Sequence, residues 1–221
     1  MLRLGPLDPT YVVSLIVSFV VAITVHECMH AWTASMLGDD TGRLLGRVSL
    51  NPADHFDPIG ALMFLLIALG FPALAWGKPV PVNTGRLRST ARFGRHVSMA
   101  VVAFAGPMSN VVLGALAASW LRLAMATGND LGVLGQGLFV FMQVNFWLAA
   151  FNMIPLPPLD GSRILAALLP SFWWPYLAKL EQYGIAILFA LILVGSVGNG
   201  IISGITSPVF RLLMSFFFPV A

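Results

Sequence analysis

Charge is what this 221-residue sequence has least of: Asp, Glu, Lys and Arg together make up 10% of it, against about a quarter in an ordinary soluble domain. With 58% hydrophobic residues and a mean hydropathy of +0.87, the chain cannot cover a globular surface with polar groups. An integral membrane protein is expected. Cysteine is nearly absent as well. A single residue, Cys28, excludes an intramolecular disulfide and any C-x-x-C metal site, and reads as a small apolar filler. The formal net charge is only +3, and no basic patch is interleaved with aromatics, so the excess reports membrane topology and not nucleic-acid binding. There is no internal repeat, low-complexity linker or cleavable signal pattern, and the length suits one domain.

Glutamate is scarce as well, present only at Glu27 and Glu181, and there are only four histidines. Yet one glutamate and two histidines fall together as His26-Glu27-Cys28-Met29-His30. With so few of either type, chance is a poor explanation. On a helix, H-E-x-x-H sets two imidazoles one turn apart on one face with a carboxylate beside them, the arrangement of two zinc ligands and a general base. The motif lies inside an apolar run at residues 10–37, long enough to cross a bilayer. Ionisable groups at membrane depth are costly and mark function. The combination predicts water-dependent hydrolysis within the membrane, with one catalytic Zn2+.

The remaining chain alternates apolar runs with breaks. Residues 59–76 are apolar but short for a span and contain Gly60, Gly70 and Pro72. Next comes Lys78-Pro79-Val80-Pro81-Val82-Asn83, whose alternating prolines exclude a helix and predict an extended edge strand. Spans are expected at residues 97–126 and 134–152, then a proline-broken stretch, a short helix at 162–169, and a last span at 183–205. The apolar tail at 207–221 is expected to lie at the interface. Trp76, Trp120, Trp173 and Trp174 read as interfacial anchors, and His96 as a solvated interfacial residue. The fold class is therefore all-α and polytopic, with four to six transmembrane helices, one re-entrant or short apolar segment, and a small extended element near residues 78–83.

A catalytic zinc takes three protein ligands and keeps one position open. Asp160 is the best third candidate, because it follows three prolines that break a span, and exposed backbone is tolerated at depth only beside a cavity or within protein. An N-cap for the following helix accounts for Asp160 equally well on local signals. His55 and Asp57 divide in the same way, between orienting a metal ligand and forming turns at Asn51-Pro52 and Asp57-Pro58. Gly106-Pro107 is expected to permit close packing and a kink, with Asn110 bonding across helices.

Taken together, several motifs resemble the site-2 protease family of intramembrane zinc metalloproteases. They are His26-Glu27-x-x-His30, Ala105-Gly106-Pro107-Met108-Ser109-Asn110, and Asn152-x-x-Pro155-x-x-x-Leu159-Asp160-Gly161. The stretches Asn51-Pro52-x-x-His55-x-Asp57-Pro58-x-Gly60 and Lys78 to Asn83 are similar to its short-chain branch, which has no appended soluble domain. The resemblance implies that His26, His30 and Asp160 hold zinc, that Glu27 is the base, and that Asn152 assists at the oxyanion. It implies a transmembrane protein as substrate, presented by the strand at Val80, Val82 and Asn83. It also implies one membrane-embedded protease domain, with a catalytic core over residues 10–170 and a C-terminal helix and interfacial tail over 183–221. The rival readings are a membrane metal-ion transporter, whose polar groups would be strung along a pore, and an inactive scaffold.

Residues 77–96 carry five cations (Lys78, Arg86, Arg88, Arg92 and Arg95) and no acid, which places them in the cytoplasm. Either the N-terminus is inside and residues 59–76 span, or it is outside and they dip in and return. The second sets the histidines and Asp160 at one depth, nearer the cytoplasmic side, and the first does so only if the first helix is strongly tilted. A multi-pass protein of a prokaryotic cell membrane is expected.

Overall fold

Three helices open on the same device, an Asp or Asn followed by proline. In the computed structural model, which describes residues 8–69, 71, 73, 75–88, 94–195 and 200–219, Asp8 caps α1 (Pro9–Met36) by accepting from the N–H groups of Thr10 and Tyr11. Two four-residue helices follow, α2 (Thr41–Leu44) and α3 (Pro52–His55), and Asn51 caps α3. Asp57 caps α4 (Pro58–Ala68) through the N–H of Gly60 at 2.8 Å. Each side chain satisfies an orphan amide while proline fills the first turn, where no donor is needed. Asn51-Pro52 and Asp57-Pro58 thus start helices as well as turning the chain. Arg92, Gly70 and Pro72 lie outside the described residues.

Beyond α4 come α5 (Arg95–Ala126), α6 (Gly132–Asn152), α7 (Asp160–Leu168), a single 3-10 turn at Ser171–Trp173, α8 (Trp174–Gly195) and α9 (Ile201–Phe217). Among the described residues four stretches are long and apolar enough to cross a membrane: Pro9–Met36, Arg95–Ala126, Gly132–Asn152 and Ser171–Val194. The central helix is α5, packed against α1, α6 and α7. Small residues allow that closeness. A Cβ on Gly114 would stand 2.4 Å from the Phe146 ring, and Ala117 and Ala118 meet Met142 and Phe146 in the core.

The segment after α3 turns back on itself. With 11 residues, α4 rises about 16 Å, half of the roughly 30 Å apolar thickness. Its far end turns back, for the Lys78 N–H donates to the His55 carbonyl at 2.9 Å. Gly60 lies so close to the Trp76 carbonyl that a Cβ there would sit 1.9 Å from its oxygen. Residues 78–83 have no strand ladder among the described residues and are held by single hydrogen bonds. Trp76, expected as an interfacial anchor, is instead half-buried and packs against Ile154, Leu159 and Leu188, because the returning segment carries it inward.

One further expectation is corrected at the C-terminal end. In place of one span over 183–205, α8 begins nine residues earlier, at Trp174, and a new helix starts after Gly200. Lys179 and Glu181 lie within α8, where long charged side chains near a helix end reach the interface without breaking the helix. The tail forms a helix of its own. Helix α9 runs antiparallel along α6, with Phe210 stacked on Trp147, Phe217 near Phe146 and Phe218 near Phe139.

Candidate metal centre and active site

The motif helix α1 buries His26 and His30 against α5. They lie about 15 Å and 9 Å from its C-terminal end at the helical rise of about 1.5 Å per residue. Each imidazole is gripped through Nδ1. His30 Nδ1 is 2.8 Å from the carbonyl of Val102, and His26 Nδ1 is 2.7 Å from Oδ1 of Asn110. A carbonyl oxygen can only accept, so both Nδ1 atoms carry a proton, and as neutral imidazoles both residues present a bare lone pair at Nε2. Those Nε2 atoms approach each other to 3.0 Å. Asp160, the first residue of α7, brings Oδ2 to 3.1 Å from His26 Nε2 and 3.3 Å from His30 Nε2.

With both imidazoles neutral, as metal binding requires, three acceptors converge with no proton between them. The Asp160 Oδ2 atom is buried and has no hydrogen-bond donor. Like electron pairs repel, and a buried carboxylate without a partner is destabilising, so the arrangement calls for a cation. The spacing fits zinc. Ligand atoms about 2.0–2.1 Å from a tetrahedral ion stand about 3.3 Å apart. The helix-cap reading of Asp160 does not hold here, because Leu159 occupies the cap position and no side chain bonds there. Backbone room is equally specific. A Cβ on Gly106 would fall 2.4 Å from His30 Nε2 and 2.7 Å from His26 Cε1, and one on Gly161 2.4 Å from the Met153 carbonyl.

A cavity of about 280 Å³ opens beside these ligands and is lined by Glu27, Val80, Val82, Asn152 and Asp160 among others. Glu27 is half-buried, and its Oε2 accepts the Val80 N–H at 3.2 Å. Asn152, at the end of α6, uses one amide hydrogen on the Leu148 carbonyl at 2.9 Å. A primary amide has two, so one remains for a ligand in the cavity. Asn83 donates its N–H to Asp39 Oδ2 at 2.6 Å. Burial alone would raise the Asp39 carboxyl. Hydrogen bonds from the Thr41 hydroxyl and from the N–H groups of Asn83 and Thr41, with the nearby Arg86 charge, outweigh that and hold it below the usual carboxylate range.

His55 and Asp57 bond elsewhere. His55 Nε2 is 2.9 Å from the Ser49 carbonyl, and Asp57 caps α4. Both line a separate cleft between α1 and α4, which shares Ile23, Trp76 and Gly77 with the cavity above. His96 is exposed and stacks on Trp174 at 3.6 Å. Interhelical bonding by Asn110 was expected from the sequence. Its partner, a motif histidine, and the role of Asn145 beyond it were not, and only their polarity within apolar runs could have drawn notice.

The fold and this site define a membrane-embedded metallohydrolase. The comparisons agree in detail. The sequence profile of peptidase family M50 matches residues 123–195, which include Asn152 and Asp160. The Bacillus subtilis protein named "Putative zinc metalloprotease YwhC" is 36% identical over 200 residues, covering 87% of this chain and 84% of that protein. "Putative zinc metalloprotease Rip2" of Mycobacterium tuberculosis is 29% identical over 202 residues, or 90% and 74%. "Putative zinc metalloprotease MJ0611" of Methanocaldococcus jannaschii is 42% identical over 64 residues, or 29% and 31%. No solved structure gives a significant match. This chain belongs to peptidase family M50, the site-2 proteases, and is an intramembrane zinc metalloprotease.

Proposed function

We propose that His26, His30 and Asp160 hold the single catalytic zinc and that Glu27 is the general base for peptide-bond hydrolysis. The observation that carries this reading is the meeting of three proton-free donor atoms within 3.0–3.3 Å beside the Glu27 cavity. Zinc supplies Lewis acidity there, bringing deprotonation of water toward neutral pH and polarising the scissile carbonyl. Glu27 takes the proton of the attacking water and returns it to the leaving amine. The free amide hydrogen of Asn152 donates to the carbonyl oxygen as negative charge develops on it.

The substrate is a transmembrane segment, whose carbonyls are hidden in intrahelical hydrogen bonds until it unwinds. Residues 80–83 receive the unwound stretch by strand addition. The N–H of Val80 is engaged by Glu27 and that of Asn83 by Asp39, and prolines have none. This leaves Val82 as the donor for the substrate backbone. His55 supports this wall through its carbonyl, which accepts from the Lys78 N–H, and Asp57 through the start of α4. In orientation the N-terminus lies outside a prokaryotic cell membrane. The C-terminal end of α1 and the start of α5, with the cations between them, face the cytoplasm and set the site nearer that side.

Metal analysis of the purified protein and of Asp160→Ala tests the assignment. One zinc per chain in the parent and none in the variant is the expected outcome. Full zinc retention in the variant would remove Asp160 from the ligand set.

A further inference from the structure

Behind His26 lies a chain of two buried amides that the hydrolytic chemistry does not itself require. Asn110 on α5 and Asn145 on α6 are both fully buried. Asn145 Nδ2 donates to the Phe141 carbonyl at 2.9 Å. Asn110 Nδ2 donates to Asn145 Oδ1 at 3.0 Å and to the Ala22 carbonyl at 3.1 Å. Asn110 Oδ1 then meets His26 Nδ1 at 2.7 Å.

The direction of every bond in this chain is forced. Two of its ends are backbone carbonyls, which accept and never donate. Phe141 obliges Asn145 to turn its NH2 away from Asn110, and so to offer Oδ1 toward it. Asn110 must then present NH2 to Asn145 and Ala22, leaving its oxygen for His26. That oxygen demands a proton on Nδ1, and Nε2 is left bare on the side of His30 and Asp160. With its amide reversed, Asn110 would offer N–H to Nδ1, moving the imidazole proton onto Nε2, the atom that must coordinate.

We propose that Asn145 is a positioning residue for the metal centre: acting through Asn110, it fixes the tautomer of His26 and so the readiness of Nε2 to bind zinc. The inference rests on the assignment of His26 as a ligand. It also gives α6 a share in the metal site beyond Asn152, since one helix then both sets a ligand on α1 and leads into Asp160. His30 needs no such chain, because a backbone carbonyl grips it directly.

Zinc affinity of the full-length protein in detergent, measured by competition with a chromophoric chelator, tests this without reference to proteolysis. Outer partners of metal-bound histidines typically contribute about 10–100-fold in affinity. Asn110→Leu is expected to fall in that range, and Asn145→Leu, one bond further away and with Ala22 still holding Asn110, to weaken binding by about 5-fold. The double variant is expected to bind no more weakly than Asn110→Leu alone, because Asn145 acts only through Asn110. Asn145→Asp keeps an acceptor toward Asn110 and is expected to stay within about 2-fold of the parent, which also covers the case in which the leucine variant does not fold. Parent-like affinity in Asn145→Leu, additive losses in the double variant, or a loss in Asn145→Asp as large as in the leucine variant would each overturn the relay. If the parent holds no zinc, the ligand assignment fails first and the relay with it. Cobalt loaded in place of zinc gives a second readout, a visible spectrum altered by Asn145→Leu and restored in Asn145→Asp.

Discussion

The catalytic cavity has two walls of opposite construction. The metal wall is made by α1, α5, α6 and the start of α7, long packed helices on which each imidazole has a fixed partner. Glycine at 106 removes the last side chain that could intrude. The facing wall is the returning segment at residues 75–83. It has no strand ladder among the described residues and is pinned by four hydrogen bonds: Lys78 N–H to His55, Arg47 Nη1 to the Lys78 carbonyl, Val80 to Glu27 and Asn83 to Asp39. A metal site loses affinity when its ligands shift by a fraction of an ångström, whereas a surface that must accept an unwound substrate needs free backbone. Rigidity and availability are therefore placed on opposite sides of one cavity, and Glu27 touches both.

The sharpest way to break this contrast is to disturb the metal wall by a single methyl group. In Gly106→Ala the new Cβ would overlap His30, and we expect zinc affinity to drop by about 100-fold or more, with cleavage falling in step. Asn152→Leu removes a donor from the cavity without touching a ligand. Its kcat should fall by about 100-fold while zinc content is unchanged, and an effect confined to KM would contradict the oxyanion role.

Changes to the facing wall should be milder and should leave the metal alone. Val82→Pro removes the unengaged N–H of that segment, and cleavage of a transmembrane substrate should slow by about tenfold with full zinc occupancy. Equal cleavage rates would exclude strand addition at this residue. Asp39→Asn weakens one pin, and a rise in KM of about threefold is expected, with little change in kcat. Because the Asp39 carboxyl is held below its ordinary range in the folded protein, its contribution is present above the unfolded-state value near 4. It is lost as pH falls through the lower folded value. Protection of residues 80–88 against hydrogen exchange, taken relative to the intrinsic rate at each pH, should therefore fall on acidification in the parent, and be low and nearly independent of acid pH in Asp39→Asn.

The same contrast explains what could be seen in the sequence. The zinc motif and Asp160 stand out because ligand chemistry is written in residue type and short spacing, and because acids and histidines are so rare in this chain. The returning segment could be anticipated from its length and its prolines. The grip on His26 could not, since it depends on how α5 and α6 rotate to face α1, and an asparagine in an apolar run looks alike on any face. Trp76 was misplaced for a related reason. A tryptophan suits an interface and a cavity wall equally, and only the return of the chain beside Gly60 decides between them.

The central claim is that a zinc site and a separate proton-transfer residue share this cavity. Comparing the parent with Glu27→Gln for both zinc content and cleavage of a transmembrane substrate in reconstituted bilayers tests it most directly. The account predicts one zinc per chain in both proteins, with cleavage in the parent and a loss of about 1,000-fold or more in Glu27→Gln. Cleavage by Glu27→Gln at the parental rate, with zinc retained, would contradict it.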